Sequence, residues 1–134
     1  MPLDDILRNL CAELRFPPPS PDADGAIAIR FDDTVVRFGP VAGHPGFALR
    51  AHLGRADLED LTLLEALLAG NLFPPGPACG VLCADFDGEV FLQHWFDTEG
   101  LAYPAFAGAL EGFLARAVAW RAGLAAFPSP AEAA

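Results

Sequence analysis

Between Asp57 and Asn71 the chain carries a segment that one small domain cannot easily bury alone. Asp57 has the side chain to cap a helix running to about Ala69, with Gly70-Asn71 closing it. On that helix Leu61, Leu64 and Leu68 form one stripe, and Leu63 and Leu67 form a second beside it. Only Glu59, Asp60, Thr62 and Glu65 are polar. A helix apolar around so much of its circumference needs cover on two sides. One cover is expected to be the chain's own sheet, the other a second subunit.

The whole chain shares this surplus. Its hydrophobic fraction is 53% and its mean hydropathy +0.33, yet Arg, Asp, Glu or Pro interrupts every apolar run. None reaches the roughly 18 residues that a membrane span needs. The excess is therefore expected in a core or against a partner. At 134 residues the chain fits one domain, taken as 1–127, with 128–134 as a flexible tail. A net charge of −10 repels phosphate backbones and anionic bilayers, so neither nucleic acid nor membrane is an expected partner. All eight basic residues are Arg, which excludes lysine Schiff-base, pyridoxal and P-loop chemistry. Cys11, Cys79 and Cys83 are too few for a disulfide framework, and Met1–Asp5 lacks the basic start of a signal peptide. A reducing cytoplasm is expected.

The remaining elements follow from periodicity. Leu3, Ile6, Leu7, Leu10 and Leu14 fall at helical spacing and end before Phe16; Pro17–Pro21 then forms a stiff connector. Ile27, Ile29 and Phe31 alternate into a turn at Asp32-Asp33, followed by a strand over Thr34–Phe38. Phe47, Leu49, Ala51 and Leu53 alternate in a third strand. Strands at Gly80–Phe86 and Glu89–Phe96 flank Asp87-Gly88, read as a type I′ hairpin. Phe91 and Trp95 face opposite to Val90, Leu92 and Phe96, as in a strand covered twice. A last helix starts near Ala102. The order helix, three strands, helix, two strands, helix predicts an α+β fold with a small twisted antiparallel sheet flanked by three helices.

Chemistry is scarce. Ser20 and Ser129 sit beside prolines, outside any nucleophile-elbow setting. Cys79 and Cys83 lack a completing ligand set, so the expected metal and cofactor complement is none. His44, His52 and His94 are read as structural or solvated, with a pairing to Asp85 or Glu89 left open. No catalytic residue is assigned and no enzyme is expected. Surfaces carry more information. Arg30, Arg37 and Arg50 fall opposite the apolar sets of their strands, and His52 extends the row. That row is either a solvated face with internal ion pairs or a surface that steers an acidic partner segment.

Three strings then carry a resemblance. They are Leu49-x-Ala51-x-Leu53-Gly54, Leu63-Leu64-x-Ala66-Leu67-Leu68-Ala69-Gly70-Asn71, and Gly80-Val81-Leu82-x-x-Asp85-x-Asp87-Gly88-x-Val90-x-Leu92. With Phe113 and Trp120 in the closing helix, the chain resembles the class I type III secretion chaperones over residues 3 to about 125. The resemblance implies a bacterial cytoplasmic homodimer of the virulence machinery. It would bind the N-terminal segment of a secreted effector in extended form, by strand addition and groove contacts. It implies a dimer interface at Leu63, Leu64, Leu67, Leu68, Phe91 and Trp95. It implies effector contacts at Leu3, Leu7, Phe16, Ile27, Ile29, Arg30, Val35, Arg37 and Arg50. The secretion-apparatus ATPase is a further candidate partner. An adaptor or regulator of the same fold, binding a secretion-control or transcriptional protein, is the alternative. The proline connector departs from the family's short one and leaves open exchange of the first helix between subunits.

Overall fold

A computed structural model describes residues 2–72 and 80–127. Cys79, the Phe73–Pro77 breaker and the expected tail at 128–134 lie outside the described residues. Helix α1 covers Leu3–Leu14, and strands β1, β2 and β3 cover Ile27–Phe31, Thr34–Pro40 and Gly46–Arg55. Helix α2 covers Leu61–Leu72, strands β4 and β5 cover Val81–Ala84 and Glu89–Asp97, and helix α3 covers Tyr103–Ala125. The element order is the expected one. The strands form one sheet ordered β1-β2-β3-β5-β4, with every neighbouring pair antiparallel.

One face of that sheet is the core. Ile29, Val36, Phe38, Phe47, Leu49, Ala51, Leu53, Val90, Leu92 and Phe96 are buried on it, the period of two read from the strands. Helix α3 lies across β2 and β3 and contributes Phe106, Leu110, Phe113 and Ala117; α1 packs on α3 through Ile6, Leu7, Leu10 and Cys11. Phe106 is the hub of the aromatic packing, 5.3 Å from the Phe96 centroid, 5.9 Å from Phe47 and 6.4 Å from Phe38.

Helix α2 begins and ends differently from the expectation. Asp60, not Asp57, caps it, its carboxylate accepting the Leu63 N–H at 3.2 Å. Asp57 instead accepts the Glu59 N–H and makes the turn before. Both aspartates have capping chemistry, so local competition decides between them. Gly70 and Asn71 lie inside the last turn rather than beyond it. Gly70 is there for space: a Cβ would collide with the Trp120 ring and sit 2.9 Å from Leu82. Gly70→Leu is expected to destabilise the chain by about 1–3 kcal/mol through overpacking, read as a lower urea midpoint. Asn71 fastens the sheet edge, its amide donating to the Leu82 carbonyl and accepting the Leu82 N–H.

The second hairpin is also corrected. Gly88 has φ of +84° but Asp87 does not share the left-handed region, so the loop is not type I′. The Gly88 N–H instead donates to the Asp85 carbonyl, a turn followed by one left-handed glycine.

Candidate protein-binding surfaces

Packing sorts the leucines of α2. Leu63 and Leu67, expected at a subunit interface, are closed inside the chain's own core. Leu61, Leu68 and Leu72 are 71%, 70% and 68% exposed, and Leu64 is half-buried beside them. Positions 61, 64, 68 and 72 follow a helical seam spacing, so they form one continuous apolar ridge. Leu64 and Leu68 are therefore open to a partner, whereas Leu63 and Leu67, also expected at the interface, are not.

The back of the α2 ridge is held by a residue that the sequence reading missed. Arg116 on α3 is 6% exposed and donates from Nη2 to the Gly70 carbonyl at 2.6 Å. That oxygen lies in the last turn of α2, where the helix dipole favours a cation. Its Nε and Nη1 have no hydrogen-bond partner among the described residues. The available signal was a lone charge inside the stripe Phe113–Ala117–Trp120.

The second surface is the sheet face away from the helices. Arg30, Val35, Arg37, Arg50, His52, Gln93 and Trp95 are exposed on it and Phe91 is half-buried. Among the described residues no element covers this face. Thus Phe91 and Trp95 are available to a partner, and the second cover expected of β5 is not supplied by the described residues. Arg50 lies over the Phe91 ring at 3.8 Å, and His44 meets Trp95 edge-on at 5.2 Å.

The residues expected to touch an effector divide similarly. Leu7 and Ile29 are buried in the core and present no side chain to a partner. Leu3 and Ile27 are half-buried; Val35, Arg30, Arg37 and Arg50 are exposed. Phe16, half-buried, lines a cleft of about 230 Å³ with Pro17, Pro19, Ala28 and Arg30 at the β1 edge. The proline connector thus runs beside the edge strand, where missing N–H groups cost no ladder bonds.

Catalytic geometry is weak where it was left open. His52 Nε2 reaches Glu89 Oε2 at 2.5 Å, and Arg55 lies 3.4 Å from the same carboxyl group. His52 and Arg55 are exposed and Glu89 is half-buried between them, and this is an ion-paired strand surface. The Cys83 thiol contacts the Phe91 carbonyl, and burial pushes it up, the opposite of an activated thiolate. His94 packs edge-on to Phe96 at 4.6 Å, and burial lowers it from its ordinary 6.5. The unfolded chain then takes up a proton before the folded one. Its contribution is intact above about pH 6.5 and is lost as pH falls below that value. His94→Gln is expected to flatten the acid side of a melting-temperature profile.

Comparison with known proteins agrees with this architecture. A family model described as the Tir chaperone protein (CesT) family matches residues 5–121. No curated protein matches. The fold is similar to the structure of the HopA1-SchA chaperone–effector complex, with a TM-score of 0.73 and 22% identity, covering 88% of this chain and 91% of that one. It is also similar to the Yersinia pestis type III secretion chaperone SycH in complex with a fragment of YscM2. There the TM-score is 0.67 and the identity 20%, over 87% of this chain and 97% of that one. The ExsC-ExsE complex gives a TM-score of 0.74 at 21% identity, over 92% of this chain and 97% of that one.

Proposed function

The chain belongs to the Tir chaperone protein (CesT) family, and from that premise we propose that it is a type III secretion chaperone for the N-terminal segment of a secreted effector. The observation that carries this reading is the family match spanning α1 to α3. Support comes from the shared fold with chaperones solved together with an effector or a partner fragment. The effector segment is held extended, its apolar side chains covered by the chaperone and its backbone unfolded for export.

In this reading the chaperone works as a homodimer in the bacterial cytoplasm. The α2 ridge of Leu61, Leu64, Leu68 and Leu72 meets its copy across a two-fold axis; Phe91 and Trp95, on the opposite face of the sheet, stay outside that contact. A self-complementary apolar ridge suits an isologous pair. No described helix is long and apolar enough to cross a membrane, which fits a chaperone free in the cytoplasm. The chaperone does no covalent chemistry itself, and the secretion-apparatus ATPase is the later partner that receives the complex. Co-expression with candidate effectors from the same genome tests this. A stoichiometric complex through an effector's N-terminal segment supports the reading; binding only a regulatory protein moves it to the adaptor class.

A further inference from the structure

The uncovered sheet face is laid out in rungs. Ala28, Arg37, Arg50, Gln93 and Val81 lie side by side across β1, β2, β3, β5 and β4. Two arginines therefore stand directly opposite each other near the middle of the sheet. Like charges in that relation repel and weaken strand pairing. The neighbouring rung is small, with Gly39 opposite Ala48. Above it opens a cleft of about 190 Å³, walled by Arg37, Arg50 and Gln93, floored by Gly39 and Ala48, with Asp24 at its rim.

The two cations are compensated unequally. Arg37 is bound by Asp22 at 2.9 Å and by Asp24 at 3.3 Å. Asp22 is fixed in place, because it also accepts the N–H groups of Asp24 and Ala26, and those bonds hold its carboxyl low. The Asp24 side chain is 84% exposed and makes only the longer contact. Arg50 has no carboxylate partner among the described residues; its guanidinium rests on the Phe91 ring. One displaceable carboxylate thus sits at the edge of a small-floored cleft beside two arginines. The chain as a whole carries −10, so this face is where an acidic segment finds local attraction.

We infer that the Arg37–Arg50 cleft seats an Asp or Glu side chain of the bound effector segment, which displaces Asp24 and fixes the register of the extended chain on the sheet. The inference rests on the chaperone reading and deepens it by naming the residue class recognised. The two arginines, side by side in the rung next to Gly39 and Ala48, supply charge-assisted bonds to the carboxylate oxygens once Arg50 leaves the Phe91 ring, and the Gln93 amide adds a neutral donor. Gly39 and Ala48 leave room for the incoming side chain.

The test uses the full chain and two short extended peptides, one alternating leucine with glutamate and one alternating leucine with glutamine. All eight basic residues are arginine, so the Nε–H signals of Arg37 and Arg50 can be followed by NMR. The glutamate peptide is expected to move both signals, in a salt-dependent way, and the glutamine peptide neither. Arg50→Gln should weaken binding about tenfold, as loss of one charge-assisted contact does. Asp24→Asn should tighten it, and Ala48→Leu, which fills the cleft without changing charge, should abolish it. Equal binding of the two peptides, or no loss in both Arg50→Gln and Ala48→Leu, overturns the assignment. The same variants in an effector complex separate the two readings. Wild type and Arg37→Gln/Arg50→Gln capturing the effector equally removes the carboxylate seat alone. Peptide binding with no effector captured removes the chaperone reading alone.

Discussion

Phe106→Ala is expected to cost about 3–5 kcal/mol and to leave the chain largely unfolded at moderate urea. Phe106 is fully buried on α3 and touches Phe38 of β2, Phe47 of β3, Phe96 of β5 and Tyr103 one turn earlier. Its ring is the common contact of α3 with the three strands of the sheet centre. Deleting it removes the transfer energy of the ring and leaves a cavity whose walls belong to different elements and cannot close together. A domain's total stability is roughly 5–15 kcal/mol, so one substitution consumes much of it. A urea titration followed by circular dichroism reads this as a drop in midpoint at unchanged slope. A midpoint within the error of wild type would show that α3 is not what closes the core.

Leu67→Asp and Leu68→Asp are expected to fail in different ways, although the residues are neighbours. Leu67 is buried in the chain's own core, so a carboxylate there unfolds each subunit. Leu68 is mostly exposed on the isolated chain, so Leu68→Asp leaves the subunit folded. In the proposed dimer the same carboxylate is buried without a partner, a cost of several kcal/mol. At about 1.4 kcal/mol per factor of ten, that weakens association on the order of a hundredfold or more. Light scattering with circular dichroism should find folded monomer for Leu68→Asp and lost structure for Leu67→Asp. An unchanged dimer for Leu68→Asp would move the interface away from α2.

The contrast between these two leucines shows where sequence reading stops. Alternation in Phe47–Leu53 placed β3 and its core face directly, because a period of two allows only two choices. In α2 the apolar residues cover most of the circumference, so periodicity reveals a helix but not its rotation. Rotation is set by distant residues: Leu82 and Trp120 pack against Gly70, and Arg116 holds the Gly70 carbonyl. Periodicity separates the Leu61–Leu64–Leu68 stripe from Leu63 and Leu67 but does not say which of the two faces the sheet, and the resemblance groups Leu63, Leu64, Leu67 and Leu68 at one interface; packing closes Leu63 and Leu67 into the core. Leu7 and Ile29 are a different case. Each lies on the apolar face of its own element, and it is the resemblance, not the period, that puts both at an effector. The Arg30, Arg37 and Arg50 row was legible, but its registry was not. Only strand pairing reveals that Arg37 and Arg50 are opposite and that Gly39 and Ala48 leave a cleft beside them.

In the proposed chaperone, stability and partner choice use different faces of one sheet. Helices α1 and α3 close the inner face, while the ridge of α2 and the outer face are left uncovered among the described residues. Arg121 ties the two halves together by donating to the Asp33 carbonyl and the Thr34 hydroxyl, which pins the first hairpin to α3. In the proposed chaperone these bonds and the β2–β3 pairing hold Arg37 and Arg50 at a fixed spacing before a guest arrives. That pre-organisation lowers the ordering cost of binding an extended segment.

The decisive measurement is light scattering combined with limited proteolysis on the chain co-expressed with an effector encoded in the same genome. Two copies of the chain per effector, with the effector's N-terminal segment shielded from protease yet lacking a fold of its own, is the expected result. A monodisperse monomer that leaves every such segment open to digestion would contradict it.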